Sequence, residues 1–181
     1  NYLPQHEEVF KLLDEHEHLL LLLAQDLVPC NDSLISSILD SLELLHAIKT
    51  TQQCDKVLIE NEIARFRHTR IFQILWTCVD DLNQAFLSQS PESRNAAKQI
   101  QHKVCKSISL AKQLHYTPML MGLVDLERQL RVCRNTHTQI NTDIFNAFYQ
   151  VFLSLLQQLK NDYTDHSDHS YTDTDSKTLR Q

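Results

Sequence analysis

A chain of 181 residues with a single glycine, Gly122, has few folds open to it. Tight hairpins need residues that tolerate positive φ, and the phosphate loops of Rossmann and P-loop folds need glycine where backbone approaches the ligand. With one glycine and four prolines, sheets and glycine-rich nucleotide sites are both excluded. Helix interiors need neither residue, so the scarcity points to an all-α protein. The chain is long enough for one domain or two small ones with a real core. Its 42 % hydrophobic against 22 % charged residues is globular composition, so no disulfide or metal staple is required.

Apolar residues recur at helical spacing almost throughout. Pro4 suits the first turn of a helix, and Val9, Leu13, His16, Leu20, Leu23 and Leu27 then line one face as far as Pro29. Asp32 is placed to cap a second helix with Ile35, Ile38, Leu39, Leu42 and Leu45 as its buried stripe, fading through Thr50 to Gln53. The third and longest helix spans roughly 55–87. Ala64, Ile71, Leu75, Cys78, Leu82 and Phe86 form its seam, widened by Phe72, Trp76 and Val79.

Ser90 and Pro91 give an N-cap and a first-turn proline for a fourth helix carrying Ala97, Ile100, Val104, Ile108, Ala111 and Leu114. Thr117 and Pro118 repeat that signal before a fifth helix through Leu123, Leu126 and Leu130. A sixth, about 142–159, buries Phe145, Phe148, Phe152, Leu155 and Leu159. From 161 to 181 Asp, His, Ser and Thr dominate with almost no aliphatic residue. Such a segment cannot offset its ordering entropy by burial, and it reads as a disordered tail or linker.

A formal charge of −6 with scattered Lys and Arg argues against a dedicated nucleic-acid binder, since phosphate affinity rests on clustered cations. The apolar run from Leu19 to Ala24 is too short to span a bilayer and no signal peptide is visible, so no membrane insertion and a cytoplasmic location are expected. Cys30, Cys54, Cys78, Cys105 and Cys133 are odd in number and lack CxxC spacing, which fits reduced thiols. Opening on Asn1 instead of Met suggests a piece of a longer protein.

Two stretches have the Glu-x-x-His spacing with which carboxylate-bridged metal bundles set two ligands on one helix face: Glu15 with His18, and Glu43 with His46. His18 shares its face with Lys11, Asp14 and Gln25, the signature of a solvated surface. His16 and His68 fall on apolar seams, where a lone histidine is usually a hydrogen-bonded core residue. Arg131 followed by His137 resembles the order of helical ribonuclease motifs, a pairing that chance readily supplies. No local motif brings a nucleophile, a base and oxyanion donors together. No enzymatic activity and no cofactor are expected.

The stretch from Cys105 to Glu127 is the most informative. Its helical pattern continues through Ala111 and Leu114, breaks at His115 and Tyr116, and resumes in a helix bearing Leu126 and Glu127. Here the chain resembles histidine phosphotransfer (HPt) domains. That family carries an acceptor in a pattern of the type His-x-Leu-Lys-Gly-x-Ala, then Leu-Gly, a turn, and a helix with Leu-Glu. Ala111 takes the alanine position, Leu114 the leucine, and Leu126 and Glu127 the Leu-Glu pair. The resemblance implies a four-helix unit over 55–160, with additional N-terminal helices over 4–50.

The departures fall on the chemistry. Cys105 stands at the acceptor position, Ile108 at the lysine, Ser109 at the first glycine and His115 at the second. His102, flanked by Lys98, Lys103 and Lys106, is the substitute acceptor that the sequence offers.

The expectation is therefore an antiparallel bundle of about six helices over 1–160, with the tail over 161–181. Its work would be protein interaction in signalling, of the kind found in chemosensory kinases and type IV pilus scaffolds, with the acceptor lost. The face around His102, Cys105, Lys106 and Ser109 would dock a receiver domain or a histidine kinase. The rivals are a metal-binding bundle using Glu15, His18, Glu43 and His46, and a plain structural adaptor.

Overall fold

The computed structural model describes residues 4–25, 27–51, 55–88, 93–136 and 141–179, with side chains at 7–25, 27–51, 55–87, 95–136 and 141–164. It is an all-α helical bundle. The six helices are α1 (Pro4–Leu23), α2 (Asp32–Thr51), α3 (Lys56–Ser88), α4 (Ser93–Gln113), α5 (Thr117–Asn135) and α6 (Thr142–Leu179), with no strand among the described residues. None of these helices is long and apolar enough to cross a membrane.

The chain divides into two compact units, one discontinuous (1–69 with 157–181) and one continuous (70–156). The division falls within α3 and within α6, so each unit is built from four helical segments. These bounds differ from the 55–160 unit and the 4–50 N-terminal helices expected from sequence.

In the continuous unit the segments are joined in sequence order. Asp81 of α3 pairs with Lys103 of α4, and Gln101 of α4 donates to Glu127 of α5 at 3.0 Å. The rings of Phe86 of α3 and Phe145 of α6 meet at a tilt of 31° with centroids 4.6 Å apart. A Cβ on Gly122 of α5 would lie 3.1 Å from Leu155 Cδ2 of α6, so the single glycine sits where two helices approach closely. Ile71, Phe72, Leu75, Cys78, Val79, Leu82, Val104, Leu123, Leu126 and Phe152 are almost fully buried among these segments.

The turn between α4 and α5 is a Schellman closure. Tyr116 N–H donates to Ala111 O (3.0 Å), His115 N–H donates to Lys112 O (3.1 Å), and His115 adopts φ 55°. His115 thus holds the left-handed position for which glycine is usual.

The discontinuous unit mixes apolar packing with buried polar groups. Leu13, Leu20, Leu23, Leu34, Leu45 and Leu159 are buried, and so are His16, Glu62, His68, Thr69, Lys160 and Tyr163. His16 reaches Thr69 Oγ1 through Nδ1 (3.1 Å) and Glu62 Oε2 through Nε2 (3.3 Å), and Arg65 covers the other carboxylate oxygen. His68 Nε2 lies 2.5 Å from Leu159 O, so both seam histidines are hydrogen-bonded core residues.

Two expectations for α2 need correction. The buried face of α2 is Leu34, Ser37, Ile38, Ser41, Leu45 and Ile48, while Ile35 and Leu39 are exposed. Two serines disguise the true stripe, and Ser41 is usable inside because its hydroxyl meets Tyr163 OH at 2.7 Å. The cap of α2 is Asn31, whose Oδ1 accepts from Leu34 N–H at 2.6 Å, and not Asp32.

The polar segment from 161 onward is not a tail from its start, because α6 runs on to Leu179 and both Tyr163 and Thr164 are buried. Asp55 Oδ1 accepts from Val57 N–H and Asn141 Oδ1 from Ile144 N–H as caps of α3 and α6, whereas α5 begins after Tyr116 with no side-chain cap, so Thr117 is not its cap. Ser90 and Pro91 lie outside the described residues.

Candidate interaction face on helix α4

Helix α4 separates its faces cleanly. Ile100, Val104, Ser107 and Ala111 point inward and are fully buried, which fixes the opposite side toward solvent. On that side His102, Cys105, Lys106 and Ser109 are all exposed, as is Lys98 one turn before His102. The four residues singled out from sequence therefore share one accessible surface.

Beside it lies a depression of about 650 Å³, lined by Lys98, Gln101, His102, Lys103 and Cys105 of α4 and by Arg134 of α5. Arg134 is brought there by the antiparallel return of α5. Its Nη1 donates to Gln101 Oε1 at 3.1 Å, while Gln101 Nε2 donates to Glu127. Arg131 lies 3.3 Å from the second Glu127 oxygen, so this carboxylate is held within its own helix pair. Lys103 is likewise matched by Asp81. Lys98, Lys106 and Arg134 leave the face with a surplus of positive charge.

The environment of Cys105 disfavours its thiolate. Burial raises the thiol above its ordinary value and the Glu127 carboxylate adds to that, with Arg131 acting the other way. Cys105 is thus held as a neutral thiol at neutral pH, a poor nucleophile. Cys78 is pushed up to about 12, chiefly by burial, and Cys133 is raised for the same reason. Cys30, Cys78, Cys105 and Cys133 are all free thiols, and Cys54 lies outside the described residues.

The rival metal ligands are placed less favourably. Glu15, His18, Glu43 and His46 are exposed, and among the described residues no group of three or more His, Cys, Asp and Glu side chains is set to hold a metal ion. Arg131 is committed to Glu127, and His137 lies outside the described residues.

Sequence reasoning missed Arg134 as a lining residue, because only the register of the α4–α5 turn carries it to α4. It also missed Glu62 and Lys160, whose burial nothing in their local pattern announces.

No protein family, curated protein or solved structure matches this chain.

Proposed function

We propose that the protein is a non-enzymatic signalling module that docks a protein partner on the exposed face of α4. The observation that carries this reading is the common exposure of His102, Cys105, Lys106 and Ser109, beside a depression edged by Lys98 and Arg134. A fixed helix face with surplus cations suits an acidic partner surface and steers its approach.

The HPt-like character of the face is supported by two local features. Leu126 is buried and Glu127 ties back to α4, which are the roles a Leu-Glu pair needs in an antiparallel helix pair. The family pattern places glycine at 115, and His115 there has φ 55°. On this reading a receiver domain binds the face, and no phosphoryl group is transferred because Cys105, a neutral thiol, occupies the acceptor position.

The test is binding of a receiver domain by calorimetry, paired with intact mass measured at neutral pH after incubation with acetyl phosphate. Binding that is lost in a Lys98→Glu, Lys106→Glu variant, with no mass gain, is the expected result. A phosphoryl mass gain abolished by His102→Ala would replace this reading with an active phosphotransfer protein. Binding indifferent to both lysines would move the interface off α4.

A further inference from the structure

Helix α1 ends at Leu23, and the chain turns at Leu27 and Val28 so that Cys30 folds back over the helix terminus, its Sγ 3.3 Å from Ala24 O. Lys160 of α6 enters the same spot with 1 % of its surface exposed. Its Nζ donates to Gln25 O at 2.9 Å and to Val28 O, and lies 3.1 Å from Cys30 Sγ. A cation is favoured here because the Gln25 and Val28 carbonyls of the segment after α1 accept from it. The consequence is an amine nitrogen held in contact with a thiol that is itself only half-buried.

We propose that Cys30 and Lys160 form a covalent sulfur–nitrogen cross-link when the protein meets a peroxide. In the first step the Cys30 sulfur attacks one oxygen of hydrogen peroxide and the O–O bond breaks. Sulfur is oxidised by two electrons to the sulfenic acid, and the peroxide is reduced to water. In the second step Lys160 gives up a proton to solvent and its nitrogen lone pair attacks the sulfur. The S–O bond breaks and the hydroxyl leaves with the second amine proton as water. One thiol, one ammonium and one peroxide become one S–N bond, two waters and one released proton, with no further oxidant.

Proximity selects this outcome. A sulfenic acid reacts with whatever nucleophile meets it first, and contact with Nζ gives the amine an effective concentration that no solute thiol matches. Bond formation removes the ammonium charge and at least one donor from the end of α1, and it ties the segment after α1 to α6. A thiol reductant attacking the sulfur restores both side chains.

The full-length protein treated with hydrogen peroxide and digested without reductant should yield one peptide pair joined through Cys30 and Lys160. The pair should be lighter than the sum of its parts by two hydrogens and should be separated by dithiothreitol. Cys30→Ser should abolish the pair, and so should Lys160→Arg, which keeps the cation and the carbonyl contacts but lacks a primary amine. Should the arginine variant fail to fold, the map of the unmodified sequence decides alone. Recovery of Cys30 as a sulfinic acid or in a disulfide, with the Lys160 peptide unchanged, would overturn the proposal.

Discussion

The two compact units solve the same packing problem in opposite ways. The continuous unit, 70–156, fills its interior with aliphatic and aromatic side chains and keeps its ion pairs, such as Lys103 with Asp81, partly exposed. The discontinuous unit places a glutamate, two histidines, a lysine and a tyrosine inside, each matched to a partner on another segment. Apolar packing is tolerant of detail and leaves the surface free for binding. A buried polar network is unforgiving, because removing one member strands the charge of another, and what it confers is register.

This contrast is open to direct attack by mutation. Glu62→Ala leaves His16 and Arg65 without their carboxylate and should cost about 4 kcal/mol, read from the urea midpoint. Replacing His16 and Glu62 together by leucine should cost clearly less than that single change, the mark of a network held by mutual satisfaction. Leu126→Ala in the apolar unit should cost about 3 kcal/mol from cavity formation. A loss well under 1 kcal/mol for Glu62→Ala would erase the distinction between the units.

Smaller effects sharpen it. Gly122→Val pushes a branched side chain against Leu155 and should cost about 2 kcal/mol by overpacking. His115→Gly relieves a left-handed backbone position and should stabilise by about 1 kcal/mol, seen as a raised midpoint with an unchanged slope.

Lys49 gives the weakest test. Burial alone would lower its ammonium, but hydrogen bonds to Asp14 and to Glu17, the latter at 2.9 Å, outweigh that and hold it above the ordinary value. A raised folded value means that the contribution is fully present below pH 10.5 and fades as pH rises through the folded value. Lys49→Met should therefore cost about 0.5 kcal/mol at neutral pH, given its exposed partners, with the difference disappearing in strong alkali.

The helices were legible because a chain with one glycine and steady three-four spacing has little else to become. The α4 face was legible for a related reason, since an amphipathic helix declares its outer side by its polar residues. The buried polar partners of the discontinuous unit other than its two histidines were not. Ser37 and Ser41 on α2, and Tyr163 and Thr164 on α6, look like surface residues until Ser41 and Tyr163 are found bonded to each other across 122 positions of sequence. Burial also raises the Tyr163 phenol well above its ordinary value, so that hydroxyl stays protonated and able to donate. A polar residue is buried when a distant partner satisfies it, and pattern reading along one segment has no access to the partner.

The discontinuity of the first unit bears on how the protein is made. Translation delivers Thr69 long before Gln157, with the whole of the other unit in between. Once Leu156 has emerged, the continuous unit has all of its residues and can collapse on local contacts alone, which fold quickly. At that moment His68, Ser41 and the segment after α1 still await Leu159, Tyr163 and Lys160. A folded insert in place of a long flexible loop then lowers the entropy of bringing the last segment home. Birth order and folding order run against each other here, and the half of the protein that leaves the ribosome first is the half completed last.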